Sequence, residues 1–254
     1  MADAVLTSAR EGVLEITLNR PEARNAYNVP VVTGLEAALD RLRSDDALRV
    51  GIITGAGGNF CSGMDLKVFA AGDWPYTDGA GFATILAERV SKPLIAALEG
   101  YAVAGGFELA LVCDLIVAAR DAKVGIPEVK RSVVAVGGGL IRLPRRVPYH
   151  LAMELALTGE FMDAERAFQV GLVNRLTDPG EAMSGARELA ATISQNGPLA
   201  LSASKEILAS SQDWTEAEAW KRQYEIAAPV LNSEDAREGA TAFAEKRAAR
   251  WQAR

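Results

Sequence analysis

From Val13 to Pro21 the chain reads VLEITLNRP, in which apolar and polar positions alternate and then stop at Asn-Arg-Pro. That pattern predicts a half-buried strand closed by a turn. The next block, VVTGLEAALDRLRSDD, places Val31, Leu35, Ala38, Leu39 and Leu42 on one face and its charges on the other, which predicts an amphipathic helix. LRVGIITGAGGNFCSGMDLKVF follows as a β-branched run that enters a glycine-rich loop. KPLIAALEG repeats the plan, with Pro93 before an apolar strand and Gly100 after it; GGFELALVCD then reads as a short helix and LIVAA as a strand.

Strand, loop, helix and strand in that cadence predict an α/β fold with crossover connections. From Val147 the texture turns helical: PYHLAMELALTG, MDAERAFQVG, a block around 180–195, PLALSASKEILAS, WTEAEAWKRQYEIAAPVL and SEDAREGATAFAEKRAARWQ. Asp163 stands as an N-cap before AERAF, Gly171 ends that helix, and Ser233-Glu234 opens the last one. No low-complexity segment, heptad array or fixed-length repeat interrupts the chain. The halves are joined without a Pro-, Gly- or Ser-rich linker, so we expect a core over 1–195 and a C-terminal helical region over 196–254.

Composition narrows the function classes. The 254 residues are 49% hydrophobic and 24% charged, enough to bury a substantial core. A formal net charge of −6 argues against a nucleic-acid scaffold, since phosphate binding needs clustered cations. The stretch Leu94–Ala119 has the length of a membrane span but holds Glu99, Glu108 and Asp114. Each acid near a helix centre costs about 2.5–3.5 kcal/mol on insertion, so the segment is expected in a water-soluble core. Two cysteines, Cys61 and Cys113, in apolar surroundings predict buried thiols, and the N-terminus MADAVLTSAREG shows no secretory pattern. A cytoplasmic location is the expectation.

His150 is the single histidine and no GxSxG elbow accompanies it, so a Ser-His-Asp hydrolase is not supported and the residue reads as structural or surface. With two scattered cysteines there is no ligand set for zinc or a transition metal. Neither GxGxxG nor GxxxxGK[ST] cradles a nucleotide phosphate. What CSGMDL and VAGGFEL both offer is a loop that delivers bare backbone N–H groups at the start of a helix, where the macrodipole favours negative charge. Two such groups aimed at one oxygen make an oxyanion hole.

Gly105 to Glu108 is an i, i+3 step, which puts a free N–H and a carboxylate on the same side of a first helical turn. Glu128, in KVGIPEVKR, follows after a strand and turn of a length that can return it alongside Glu108. Taken singly, each feature has a plainer reading. Glu108 can pair with an arginine or the backbone, Glu128 can be a solvated loop residue, and Gly105-Gly106 can serve close packing. The case for chemistry rests on their conjunction.

In order along the chain, LNRPEARNAYN, GIITGAGGNFCSGMDL, KPLIAALEGYAVAGGFELALVCDLIVAA, GIPEVKRSVVAVGGGLIRLPR, TGEFMDAERAFQVGLVNRL and AFAEKR resemble the successive signatures of the crotonase (enoyl-CoA hydratase/isomerase) superfamily, of the two-glutamate hydratase type. The resemblance implies a spiral of ββα units with a C-terminal helical region that builds homotrimers or homohexamers. It implies an acyl-CoA substrate, no separate cofactor, no metal, and no nucleic-acid or membrane partner. By position in the motifs it implies Glu108 and Glu128 as the acid/base pair and the backbone N–H groups of Met64 and Gly105 as the oxyanion hole. Arg24, Ala26, Ser62, Gly63, Asp65, Leu66, Phe243 and Lys246 match coenzyme A contacts, the last two from a neighbouring subunit.

The reaction so implied is reversible addition of water to the 2,3-double bond of a 2-enoyl-CoA. Ser132, Ala135 and Val136 depart from the Gly-x-x-Pro-x-Gly loop of many hydratases, in a segment whose backbone can still hold water. FELAL with PEVKR also resembles carnitinyl-CoA dehydratases, so an isomerase or dehydratase is the first alternative. A non-catalytic acyl-CoA- or RNA-binding homologue is the second, and it would not need both acids.

Overall fold

The alternation in VLEITL and the unbroken apolar runs in VGIIT and LIAAL set the layers of the molecule, because the first strand buries one face and the others bury both. The computed structural model describes residues 3–72, 76–77, 80–87 and 89–254. In chain order the elements are β1 (Val5–Arg10), β2 (Val13–Leu18), α1 (Val29–Ser44), β3 (Val50–Gly55), α2 (Leu66–Ala70), β4 (Tyr76–Thr77), β5 (Ala80–Gly81), α3 (Phe82–Ala87), β6 (Leu94–Leu98), β7 (Tyr101–Val103), α4 (Gly105–Val112), β8 (Leu115–Ala119) and β9 (Lys123–Gly125). A 3-10 turn, Glu128–Arg131, leads to α5 (Gly139–Arg142), α6 (Tyr149–Thr158), β10 (Met162–Asp163), α7 (Ala164–Gln169), β11 (Arg175–Thr177), α8 (Ala182–Ser194), α9 (Pro198–Ser210), α10 (Glu216–Leu231) and α11 (Glu234–Ala244).

The main sheet runs β1-β2-β3-β6-β8-β11, antiparallel between β1 and β2 and parallel thereafter. A smaller sheet, β10-β9-β7, stands beside it. Successive β and α elements thus wind as the ββα spiral of the crotonase fold expected from the sequence. One face of the main sheet meets α1, whose buried Val31, Leu35, Ala38, Leu39 and Leu42 are the predicted stripe, with Val32 beside them. The other face meets α8, where Ala182, Ala186 and Ala190 recur every four residues over Val50, Ile52, Ile95, Ala97 and Val117. Small residues let that helix lie close: a Cβ on Gly185 would come 2.8 Å from Thr177 Cγ2.

Two local expectations change, and one strand is added that no pattern announces. β1 carries no burial alternation, since five of its six residues are exposed; pairing with β2 makes it a strand. Asp163 occupies the N-cap position of α7 without capping it, because its carboxylate is drawn instead to Lys123 across the small sheet. The last helix stops at Ala244 rather than running into the tail. Lys246 takes a left-handed backbone (φ 55°), Arg247 forks onto Glu238 at 2.6 and 2.9 Å, and the buried Asp235 carboxylate accepts the N–H groups of Gln252 (2.7 Å) and Ala253 (2.9 Å).

What positions the site is a close approach between the loop after β3 and the start of α4. Cys61 donates to Tyr101 O (3.0 Å) and accepts from Val103 N (3.0 Å), so the loop lies along β7 as an extra strand. Gly106 permits this contact, since a Cβ there would stand 2.1 Å from Cys61 O. That carbonyl cannot yield without breaking the bridge. Gly106→Ala is therefore expected to lower the unfolding free energy by about 1–3 kcal/mol, as overpacking does. Denaturant unfolding at wild-type midpoint would sink this reading of the contact.

Candidate active site

Gly105 is the first residue of α4, and its N–H has no intrahelical acceptor by construction. Preceding it, Ala104 adopts φ 54° and ψ −133°, a region otherwise kept for glycine, at a cost of about 1–3 kcal/mol. The turn is held by Ala104 N donating to Gly125 O at 2.9 Å, between β7 and β9. The strained residue of VAGG is thus the alanine. The two glycines have ordinary backbones and are required for approach, because a Cβ on Gly105 would come 2.5 Å from the Tyr27 ring. Tyr27 in turn stacks on Phe82 with centroids 3.8 Å apart.

Opposite this turn, Gly63 (φ 89°) brings the CSGMD loop in. Its missing Cβ would lie 3.1 Å from Gly105 N, so the residue before Met64 packs against the start of α4. Tyr27 N donates to Gly63 O (2.9 Å) and Asp65 N to Tyr27 O (3.0 Å), flanking Met64 on both sides. Among the described residues no acceptor is paired with the N–H of Met64 or of Gly105. Unspent backbone donors of this kind, converging on one oxygen, are what an oxyanion needs. Cys61 cannot act as a nucleophile in this loop, since burial pushes its thiol up to about 12.

The same close approach gathers most of the sequence-nominated coenzyme contacts. Arg24 is exposed in a left-handed turn (φ 49°), with its guanidinium over the Tyr101 ring at 5.6 Å and its carbonyl accepting Ser62 N at 3.0 Å. Ala26 is buried and its carbonyl accepts Arg20 Nη1 at 2.6 Å. Asp65 accepts Arg20 Nη2 (3.1 Å) and caps α2 at Lys67 N, leaving Leu66 exposed at the loop's outer end. Phe243 and Lys246 are not brought in. They sit at the end of α11, where Phe243 is 87% exposed, and among the described residues no hydrogen bond or ion pair ties them to the loop.

Two residues that sequence reasoning passed over hold this loop. Asn25 is fully buried in a left-handed conformation (φ 55°), donating to Ala56 O (2.8 Å) and Asn59 O (2.7 Å) and accepting Arg20 N (2.9 Å). Both polar atoms of its side chain are satisfied by backbone, so it locks the PEARN turn to the glycine loop. Arg20 then bridges that turn to Asp65. The signal for both was the RPEARN run itself, where a left-handed Asn is a favoured turn residue.

One carboxylate stands on α4's first turn, three residues after Gly105, and the other heads the 3-10 turn after β9. Glu108 is 3% exposed, and its Oε1 accepts Gly139 N at 2.9 Å. The glycine run makes room for it, since a Cβ on Gly137 would stand 2.6 Å from Oε2 and one on Gly139 2.9 Å from Cγ. Burial raises the Glu108 pKa; the N–H groups of Gly139 and Gly137 and the charge of Arg142 oppose that rise. Glu128 heads the 3-10 turn, with Oε2 buried and, among the described residues, without a hydrogen-bond partner. Burial lifts its pKa to about 7, against its own backbone N–H, and the Glu108 charge presses it further up. Burial thus raises both carboxyls, and the backbone N–H groups oppose that rise at Glu108.

The model of the enoyl-CoA hydratase/isomerase family matches residues 8–254. An enoyl-CoA hydratase of Mycobacterium tuberculosis is 42% identical over 256 residues, covering 98% of this chain and 96% of that protein. A carnitinyl-CoA dehydratase of Proteus mirabilis is 42% identical over 262 residues, covering 100% of both. The crystal structure of an enoyl-CoA hydratase from Mycobacterium marinum superposes with a TM-score of 0.97 at 53% identity, again covering 100% of both chains.

The pKa of Glu128 carries a stability consequence. Between the ordinary carboxyl value of 4.5 and about 7 the unfolded chain has released this proton and the folded chain has not, so stability falls with rising pH across that window. Glu128→Gln removes the titration. Its melting temperature relative to wild type is expected to rise from pH 4.5 to about 7 and then level off. A difference that stays flat with pH would contradict the burial argument.

Proposed function

This chain belongs to the enoyl-CoA hydratase/isomerase family, and from that membership we propose that it is a 2-enoyl-CoA hydratase whose acid/base pair is Glu108 and Glu128. The observation that carries the proposal is the buried Glu108 carboxylate on the same first helical turn as the unspent Gly105 N–H, with its charge felt by the half-buried Glu128. The thioester oxygen sits against Met64 N and Gly105 N. Ionised Glu108 takes a proton from water as its oxygen bonds to C3. The π electrons move toward the thioester oxygen, where the two N–H groups meet the developing charge. Glu128 gives its proton to C2, the enolate collapses, and the product is a 3-hydroxyacyl-CoA. Losing one oxyanion donor costs about 100- to 1,000-fold, and a positioned acid or base is worth about 100- to 10,000-fold.

No separate cofactor enters these steps; coenzyme A is part of the substrate. Arg24, Ala26 and the Ser62–Leu66 backbone, with Ser62, Gly63, Asp65 and Leu66 in the reading, are proposed to hold it. Phe243 and Lys246 complete the contact from a neighbouring subunit. That assignment goes with a trimer, or a hexamer of two trimers, built through 196–254. It is supported by the exposed Leu208, Trp220, Tyr224, Leu231 and Phe243 along α9, α10 and α11, an apolar surface of the kind that marks an interface. Among the described residues no helix is long and apolar enough to cross a membrane. The free, buried Cys61 and Cys113 support a reducing, cytoplasmic setting.

A second reading, dehydration of a carnitinyl-like 3-hydroxyacyl-CoA, is favoured by the full-length match to such a dehydratase. It uses the same atoms in reverse.

Hydration is followed by loss of the conjugated-thioester absorbance with crotonyl-CoA and with longer and branched 2-enoyl-CoA thioesters. Glu108→Gln and Glu128→Gln are each expected to lower kcat by about 100-fold or more while the protein stays folded. Turnover of no enoyl thioester by folded wild type would defeat the hydratase reading. Turnover of carnitinyl-CoA alone would favour the dehydratase.

A further inference from the structure

Resting on the hydratase reading, we propose that Arg142 is a positioning residue for Glu108, acting through the glycine run 137–139. Its guanidinium is half-buried and forks onto two carbonyls of different elements, Gly137 O at 3.0 Å and Leu86 O of α3. Gly138, at φ 95°, leaves the space that the fork fills, since a Cβ there would be 2.1 Å from Arg142 Nη1. Gly139, the next residue, presents its N–H to Glu108 Oε1. The chain of contacts is therefore α3, guanidinium, glycine run, carboxylate. Among the described residues no ion pair joins Arg142 to Glu108, so the geometric hold on the carboxylate runs through the backbone.

The two carbonyls explain why an arginine stands here. A planar fork satisfies two carbonyls at once, which a lysine ammonium on its flexible stem does not reproduce. The charged groups around the pair are few. Glu108 faces Glu128 and Arg142, while Arg142 also feels Arg146 and Arg89. Arg146 is spent on Cys113 O (3.1 Å) and Arg89 on Ala209 O (3.0 Å) and Ser210 Oγ (2.7 Å). Arg142 is thus the cation whose charge favours ionised Glu108, and its loss removes both that field and the hold on the donor loop. Both effects let Glu108 keep its proton to higher pH.

The test compares wild type, Arg142→Gln, Arg142→Lys and Gly138→Ala in hydration of crotonyl-CoA across pH. Alongside it, carbon NMR titrates the side-chain carboxyl of Glu108 in each protein, identified by its loss in Glu108→Gln. Arg142→Gln is expected to lower kcat about 10- to 100-fold, as misplacement by about 1 Å does, with KM changed less than about threefold. The acid limb of kcat/KM and the Glu108 titration both move to higher pH. Arg142→Lys keeps the limb near its wild-type position but recovers kcat only in part. Gly138→Ala, which pushes the guanidinium aside without deleting it, moves the titration the same way and stands in if Arg142→Gln does not fold. A Glu108 titration unmoved in the folded variants overturns the proposal, even where kcat falls. A wild type that titrates as described but hydrates nothing defeats the hydratase reading and leaves the positioning intact.

Discussion

Everything in the site depends on one close backbone approach, the carbonyl of Cys61 lying where a side chain on Gly106 would be. It lets the CSGMD loop pair with β7, and that pairing brings Gly63, the residue before Met64, against Gly105 N. The cost appears one residue earlier, at Ala104, which is held in a glycine-like conformation by its bond to Gly125 O. Strain at such a turn persists only where surrounding contacts over-determine it. Here β7, β9, the loop and the Tyr27 ring all converge on the same few atoms.

The two carboxylates meet unequal hydrogen bonding, and the proposed division into base and acid rests on that difference. Burial raises both, yet Glu108 is offered backbone donors from the 137–139 run and Glu128 is left with a bare buried oxygen. A carboxylate that accepts N–H groups favours its charged form, and one without partners favours its proton. The departure of this loop from the Gly-x-x-Pro-x-Gly pattern does not remove these donors, because they come from Gly137 and Gly139 rather than from Ser132, Ala135 or Val136.

The C-terminal arm follows a different logic. α9 is bound to the core by Lys205 to Asp114 at 2.7 Å and by Arg89 to the end of the helix. Beyond it, α10 has no buried residue and α11 folds its own tail back with Asp235 and Glu238. Phe243 and Lys246 stand beside that local clasp, with no hydrogen bond or ion pair to the loop among the described residues. The proposed coenzyme contact from that arm therefore goes with the proposed assembly.

Much of this was legible in the sequence, because alternation, periodicity and glycine runs report local backbone preference directly. The α/β core, the face of α1, the helix at GGFELAL and the nomination of Glu108, Glu128, Met64 and Gly105 all follow from such patterns and from motif order. What the sequence could not decide is which groups meet through space. β1 exists because β2 is beside it; Asp163 abandons its capping role because Lys123 is nearer. Asn25 and Arg142 owe their roles to carbonyls 31 and 56 residues away, at Ala56 and Leu86, and Arg20 owes its role to Asp65, 45 residues on. A polar side chain's function depends on its partners and its burial, and only the folded chain sets those.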